Sequence, residues 1–171
     1  MTDWREPIKV IAELLANQMD LSADRIFIYN DGRPLPKDDG LYLVISINGT
    51  EPFRNTSKFT KKVVNGVETF TDEIDINFKQ NIIVSVISKD SSARLRAYEV
   101  TGALSSIYSQ QLQEKYACHI AKIGRVTDAS FLEKTDMLTR MDVSISVLSW
   151  KKIVKDVDYM TVSDVDSLFE A

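Results

Sequence analysis

Between residues 79 and 150 the apolar side chains are spaced in an order that few domain types satisfy. Asn81-Ile-Ile-Val-Ser-Val-Ile-Ser88 has the run of a buried strand, and a helix-like stretch of about 25 residues follows. Arg140-Met-Asp-Val-Ser-Ile-Ser-Val-Leu148 then closes the segment as another strand. Strand, long helix, strand predicts an α+β fold in which a helix over about 92–116 covers an antiparallel or mixed β-sheet, since each element must bury its apolar side against the other. Few of the residues that enzymes use for chemistry occur in this segment, which points to a part that assembles.

The rest of the chain fits around that frame. Pro7 suits an early helical position, and Ile8, Ile11, Leu14, Leu15 and Met19 follow at helical spacing, predicting an N-terminal amphipathic helix over about 5–19. Arg25-Ile-Phe-Ile-Tyr29 is a short strand candidate, followed by a loop dense in turn residues from Asn30 to Gly40. Leu41-Tyr-Leu-Val-Ile-Ser-Ile47 puts Leu41, Leu43, Ile45 and Ile47 on one face of a core strand. The next stretch turns polar and places Phe53, Phe59 and Phe70 around Asn65-Gly66, a strong hairpin signal, so a projecting β-hairpin arm is expected over about 53–73.

Asp72-Glu-Ile-Asp-Ile-Asn-Phe78 alternates with Ile74, Ile76 and Phe78 inward, and Ile82, Val84 and Val86 continue the pattern in a following strand. Lys89-Asp-Ser-Ser92 supplies helix-capping candidates. Along the helix, Ala93, Ala97, Val100, Leu104 and Ile107 form an inner stripe, joined less regularly by Leu112 and Tyr116. His119-Ile-Ala-Lys-Ile-Gly124 reads as a short strand and turn, Val126 to Lys134 is weakly patterned, and an acidic C-terminal tail spans about 155–171.

With 171 residues, length predicts a single domain over 1–171 with a sizeable core. A net charge of −4 disfavours broad nucleic-acid binding, which needs a surplus of Lys and Arg to displace counterions. The apolar runs fall well short of the ~20 residues a bilayer span needs, and the acidic start Met1-Thr-Asp-Trp-Arg-Glu-Pro7 lacks a secretion signal. No membrane partner is therefore expected, and the protein is expected in the cytoplasm of the cell that makes it. Cys118 is the sole cysteine, so stability must come from packing rather than an internal disulfide.

The chemistry candidates favour structural roles. His119 is the one histidine and follows Cys118, but neighbours on a strand point to opposite faces and do not make a nucleophilic pair. Glu73 and Asp75 share a strand face without the Gly-punctuated loop of a calcium site or the companions of a two-metal hydrolase. A solvated face or a charged interface suits them better; a small hydrolase using Glu73, Asp75 and His119 is the enzymatic alternative. No glycine-rich phosphate loop is present, and no cofactor is expected. Lys58, Lys61 and Lys62 beside Phe59 suit the guarding of an edge strand or a protein contact better than nucleic acid. Trp4 and Trp150 have the character of partly buried anchors or interface groups. Gly102 with Ala103 would let the helix approach the sheet or a neighbouring subunit closely.

Residues 81–159 resemble the tail terminator (neck-completion) proteins of long-tailed bacteriophages. The similar pieces are the strand at 83–88, the helix through Arg96-Ala-Tyr-Glu-Val100, the strand Arg140-Met-Asp-Val-Ser-Ile-Ser-Val147 and Val157-Asp-Tyr-Met-Thr-Val162. Lys89-Asp90-Ser91 stands where such proteins often carry an aromatic-Gly turn. The resemblance implies a virion subunit that closes into a homo-oligomeric ring, typically of six copies, on the tail tube. Such a ring stops tube growth and offers a face to the head-tail connector protein, while genome DNA passes through without specific binding. Another neck or tail part, such as a connector stopper or tube-end protein, is the nearest alternative. On this reading Phe53, Phe59, Lys61, Lys62, Phe70, Glu73 and Asp75 are interface candidates, and Arg140 with Asp142 would orient the last strand.

Overall fold

The computed structural model describes residues 6–29, 32–36, 38–64, 67–133 and 136–157, without the side chains of 62–64, 67–69, 132–133, 136–137 and 156–157. In chain order the elements are α1 (Pro7–Gln18), β1 (Ile26–Ile28), β2 (Tyr42–Val64), β3 (Val67–Ser88), α2 (Ser92–Leu104), α3 (Ile107–Lys115), β4 (Cys118–Asp128), β5 (Phe131–Glu133) and β6 (Asp136–Val157). The fold is α+β, with a mixed sheet ordered β1-β2-β3-β6-β4 and β5 paired to β6. β1 runs parallel to β2, with Ile26 opposite Leu43, whereas β4 runs antiparallel to β6, with Ile123 opposite Ile145. β2 and β3 are sheet neighbours separated by two residues, so they run antiparallel, because a parallel pair needs a crossover of a dozen or more.

The described residues group into two compact units. One holds the described residues up to Glu51 and Phe78–Ser149; the other holds Pro52–Asn77 and β6 from Trp150. The strands expected separately at 72–78 and 81–88 are one strand, β3. The expected arm over 53–73 falls within β2 and β3, and its Asn65-Gly66 turn lies outside the described residues, as do Trp4 and the tail beyond Val157.

In the first unit the three described helices cover one face of the sheet. Ile8, Ile11, Leu14 and Leu15 of α1, Ala93, Ala97 and Val100 of α2, and Leu112 of α3 pack with Leu43, Ile45, Ile82, Val84, Val86, Val143, Ile145 and Val147. The strand residues are every second one along β2, β3 and β6, which is the pleat placing one face inward. Alanines on α2 let that helix lie close to the strands. Ile47 departs from its expected core position and is 39% exposed.

Local chemistry sets the helix ends. α1 stops where Asp20 adopts a left-handed backbone (φ 51°) and the Leu21 N–H reaches back to the Ala16 carbonyl at 3.1 Å, a Schellman-type closure. α2 starts from Ser88, whose hydroxyl accepts from the Ala93 N–H at 3.0 Å, and from Asp90, which accepts from the Ser92 N–H at 2.9 Å.

The single helix expected over 92–116 is two. The Ser105 hydroxyl donates back to the Thr101 carbonyl at 3.1 Å, and Ser106, in extended backbone, accepts the Ser109 N–H at 3.1 Å as the cap of α3. Adjacent serines thus end one helix and begin the next, because each offers the backbone a local partner that competes with the helix ladder. The break rotates Ile107 off the inner stripe, leaving it 75% exposed.

β4 also departs from a regular two-residue period. Register shifts lie between Ile120 and Lys122 and between Ile123 and Val126, so Cys118, Ile120, Ile123 and Val126 all meet the core at spacings that break the two-residue period. The expected short strand and turn is therefore one strand running on to Asp128. Gly124 sits inside this irregular stretch, where an added Cβ would run into Ser144 Oγ and stand 2.8 Å from the Ser144 carbonyl oxygen. No helix among the described residues is long and apolar enough to cross a membrane.

Candidate functional site

The face of the first unit's sheet opposite the helices carries two grooves of different character. On the β1-β2-β3 side, Phe27, Tyr42, Ile87 and Leu138 form a small buried cluster with Val44 against it, and Phe27 meets Tyr42 edge-on at 6.0 Å. These residues floor a groove of about 650 Å³. Around its rim stand Tyr29 (65% exposed), Leu35 (53%) and Phe131 (42%), with Ile47 beside them. The Arg33 guanidinium lies over the Phe27 ring at 4.8 Å and donates to the Ile26 carbonyl at 2.7 Å, pinning the 32–36 segment to the groove's edge.

Arg140 lines the same groove and pairs with Asp142 through two bonds of 2.8 and 3.0 Å. Both residues occupy alternate positions of β6, so they share the uncovered face. The Arg140 N–H also donates to Ser130 Oγ at 3.2 Å and its carbonyl accepts from the Ala129 N–H at 2.8 Å, tying β6 to the turn before β5. Nearby, Arg25 grips Asp38 at 2.7 and 2.6 Å, and that bond, aided by the Gly40 N–H, holds the Asp38 carboxyl down to about 2.

The second groove, of about 560 Å³, is polar. Asn48, Asn81, Lys122, Arg125, Ser144 and Ser146 line it beside Ile83, and no carboxylate is among the lining residues. The β4 bulges bring Lys122 and Arg125 to this face. Nothing in the sequence pattern singled out these two cations; the irregular spacing of the β4 apolar residues was the signal available.

The second unit gathers most of the expected interface residues. Phe59 and Phe70 stack at 5.2 Å and 15°, and Lys61 Nζ lies 6.0 Å from the Phe70 ring centre. Phe53 and Phe59 are more than half exposed, at 58% and 55%. The Lys62 side chain lies outside the described residues. Glu73 takes an ion pair from Lys152 at 2.8 Å, and this partner raises the Lys152 pKa. Asp75 is half-buried on the same strand. Ile74 and Ile76, expected inward, are only half-buried. Trp150 is 47% exposed.

His119 stands exposed on β4 in the first unit, whereas Glu73 and Asp75 belong to the second. Among the described residues no three His, Cys, Asp or Glu side chains group as metal ligands. Cys118 is buried, and burial pushes its thiol up to about 11 from an ordinary 9.0. The unfolded thiol therefore ionises first, so this residue's contribution to stability is full below pH 9 and is lost as the pH rises towards 11. A Cys118→Ala variant should show a shallower stability loss than the parent across that window, by about 2–3 kcal/mol at its upper end, in urea titrations at matched pH. Equal slopes in the two proteins would refute it.

On α2, Leu95 (74%) and Tyr98 (67%) point to solvent, and a Cβ on Gly102 would meet nothing within 4 Å. Gly102 is therefore not required for close approach to the sheet. No family model and no curated protein matches this chain.

Proposed function

We propose that this chain is a structural virion protein, a tail terminator that closes as a ring, typically of six copies, on the end of a phage tail tube. The ring stops tube polymerisation and offers a docking face to the head-side connector. The observation that carries the reading is the groove on the first unit's sheet face opposite the helices, where exposed Tyr29, Leu35, Ile47 and Phe131 rim a buried apolar floor. Contiguous apolar surface of this kind is characteristic of a contact with another macromolecule. A ring needs two different surfaces on each copy, and the separate features of the second unit, the Phe59–Phe70 stack and exposed Phe53, supply candidates for the other. Residues 53–73 serve as a projecting arm on this reading, and the α2–α3 pair stands in for the single long helix that the resemblance implies.

Light-scattering mass and negative-stain images of the purified protein test the first half of the proposal, with closed rings as the expected result. Phage produced without the protein should yield unjoined heads and tails with tubes of uncontrolled length. Normal joined particles would overturn the assignment.

A further inference from the structure

The acidity of this protein is concentrated at one place. Of its 25 carboxylates, five lie in residues 156–171, which contain no Lys or Arg, leaving 20 against 21 cations in the rest of the chain. Within that stretch Asp164, Asp166 and Glu170 are interspersed with Val165, Leu168 and Phe169, so the segment is both anionic and apolar.

The polar groove has the opposite character. Lys122 and Arg125 are exposed and have no ion-pair partner among the described residues. Ser146 Oγ donates to Asn81 Oδ1 at 2.8 Å, which commits the amide oxygen and leaves the NH2 as the donor end. Asn48 adds a second amide, and Ile83 adds apolar surface beside them. Donors without a carboxylate, with the part-exposed Ile83 beside them, fit a carboxylate-bearing segment with interspersed apolar side chains. The site is also built rather than incidental: two register shifts turn Lys122 and Arg125 outward, and Gly124 between them is the residue that the close passage past Ser144 permits.

We infer that the Lys122–Arg125 groove receives the acidic segment 164–170 of a second copy of this chain. The contact is heterologous, groove on one copy and segment on the next, which is the kind that propagates around a ring. The inference rests on the self-association proposed above but not on the virion role. Electrostatic contacts of this sort are screened by salt, because charges at a surface interact over only about 10 Å at 0.1 M ionic strength.

A charge-swap experiment in the full-length chain tests it. Lys122→Glu with Arg125→Glu, and separately Asp164→Lys with Asp166→Lys and Glu170→Lys, should each weaken self-association on the order of 10–100-fold by sedimentation at 0.1 M salt. Mixing the two variants, or combining all five changes in one chain, should restore association to within about 3-fold of the parent. A photo-crosslinker at Phe169 should give adducts with residues around Lys122 and Ser146, between isotopically distinct copies. Rings that form regardless of either reversal would overturn this inference and leave the ring reading intact. Restored pairwise association without closed rings would support the inference and overturn the ring. Adducts confined to one copy would overturn the second-copy occupant, and retention of DNA by the parent but not by Lys122→Glu/Arg125→Glu, with association unchanged, would assign the groove to phosphate instead.

Discussion

Replacing Gly124 with alanine will destabilise the protein by about 2–3 kcal/mol, a large effect for one added methyl group on a strand. The added carbon meets two Ser144 atoms of different kinds. Ser144 Oγ is the end of a short side chain and can rotate away, but the Ser144 carbonyl oxygen, 2.8 Å from the new carbon, belongs to the β6 backbone and can move only with the strand. The double variant Gly124→Ala/Ser144→Gly therefore separates the two contributions. It should recover only part of the loss, beyond the penalty that glycine itself brings to a strand, since the backbone contact remains. Full recovery in thermal unfolding would mean that the hydroxyl alone opposed the methyl, and no change in the single variant would mean that β4 and β6 are farther apart than the register with Ile123 opposite Ile145 implies.

The parts of the fold legible in the sequence are those where one period holds for several residues. α1 announces itself through Pro7 and the Ile8, Ile11, Leu14, Leu15 spacing, and those residues are buried in the core. Val143, Ile145 and Val147 alternate cleanly and face the helices in the same way. Illegibility begins wherever a local hydrogen bond or a bulge interrupts the period. Ser105 and Ser106 look like ordinary polar residues on a helix surface, but their hydroxyls bind neighbouring backbone groups and divide the helix. On β4 the bulges separate the core-facing residues unevenly, so neither the strand's full length nor the exposure of Lys122 and Arg125 follows from periodicity.

The candidate surfaces follow the same division. Phe53, Phe59 and Phe70 stand out in sequence because aromatic residues flanking a turn signal in a polar stretch are conspicuous; of these Phe59 and Phe70 stack in the second unit, with Lys61 near the Phe70 ring. The apolar groove is not legible in the sequence, because its floor joins residues as distant along the chain as Phe27, Tyr42, Ile87 and Leu138. Their common face depends on the strand order β1-β2-β3-β6, in which the chain visits β6 only after two further helices, β4 and β5. Arg140 and Asp142 form an ion pair, as a two-residue spacing on one strand allows.

Leu15→Ala and Ile107→Ala carry the sharpest contrast that the helical layer offers. Leu15 is fully buried (0% exposed) between α1 and the sheet, so truncating it removes its contacts and leaves a cavity that close-packed neighbours fill only in part. The expected cost is about 3–5 kcal/mol, which lowers the midpoint of thermal unfolding by on the order of 10 °C for a chain of this length. Ile107 has the same apolar character and lies on what a continuous helix would present as the inner stripe, yet it is 75% exposed at the first position of α3. Its truncation should change stability by no more than about 0.5 kcal/mol in the isolated chain, with alanine's better helix propensity acting in its favour. An Ile107→Ala loss approaching that of Leu15→Ala would require the helix to run unbroken through Ser105 and Ser106. The serine caps, the division of α2 from α3 and the outward turn of Ile107 would then all be wrong together, because the same two hydroxyl bonds produce all three.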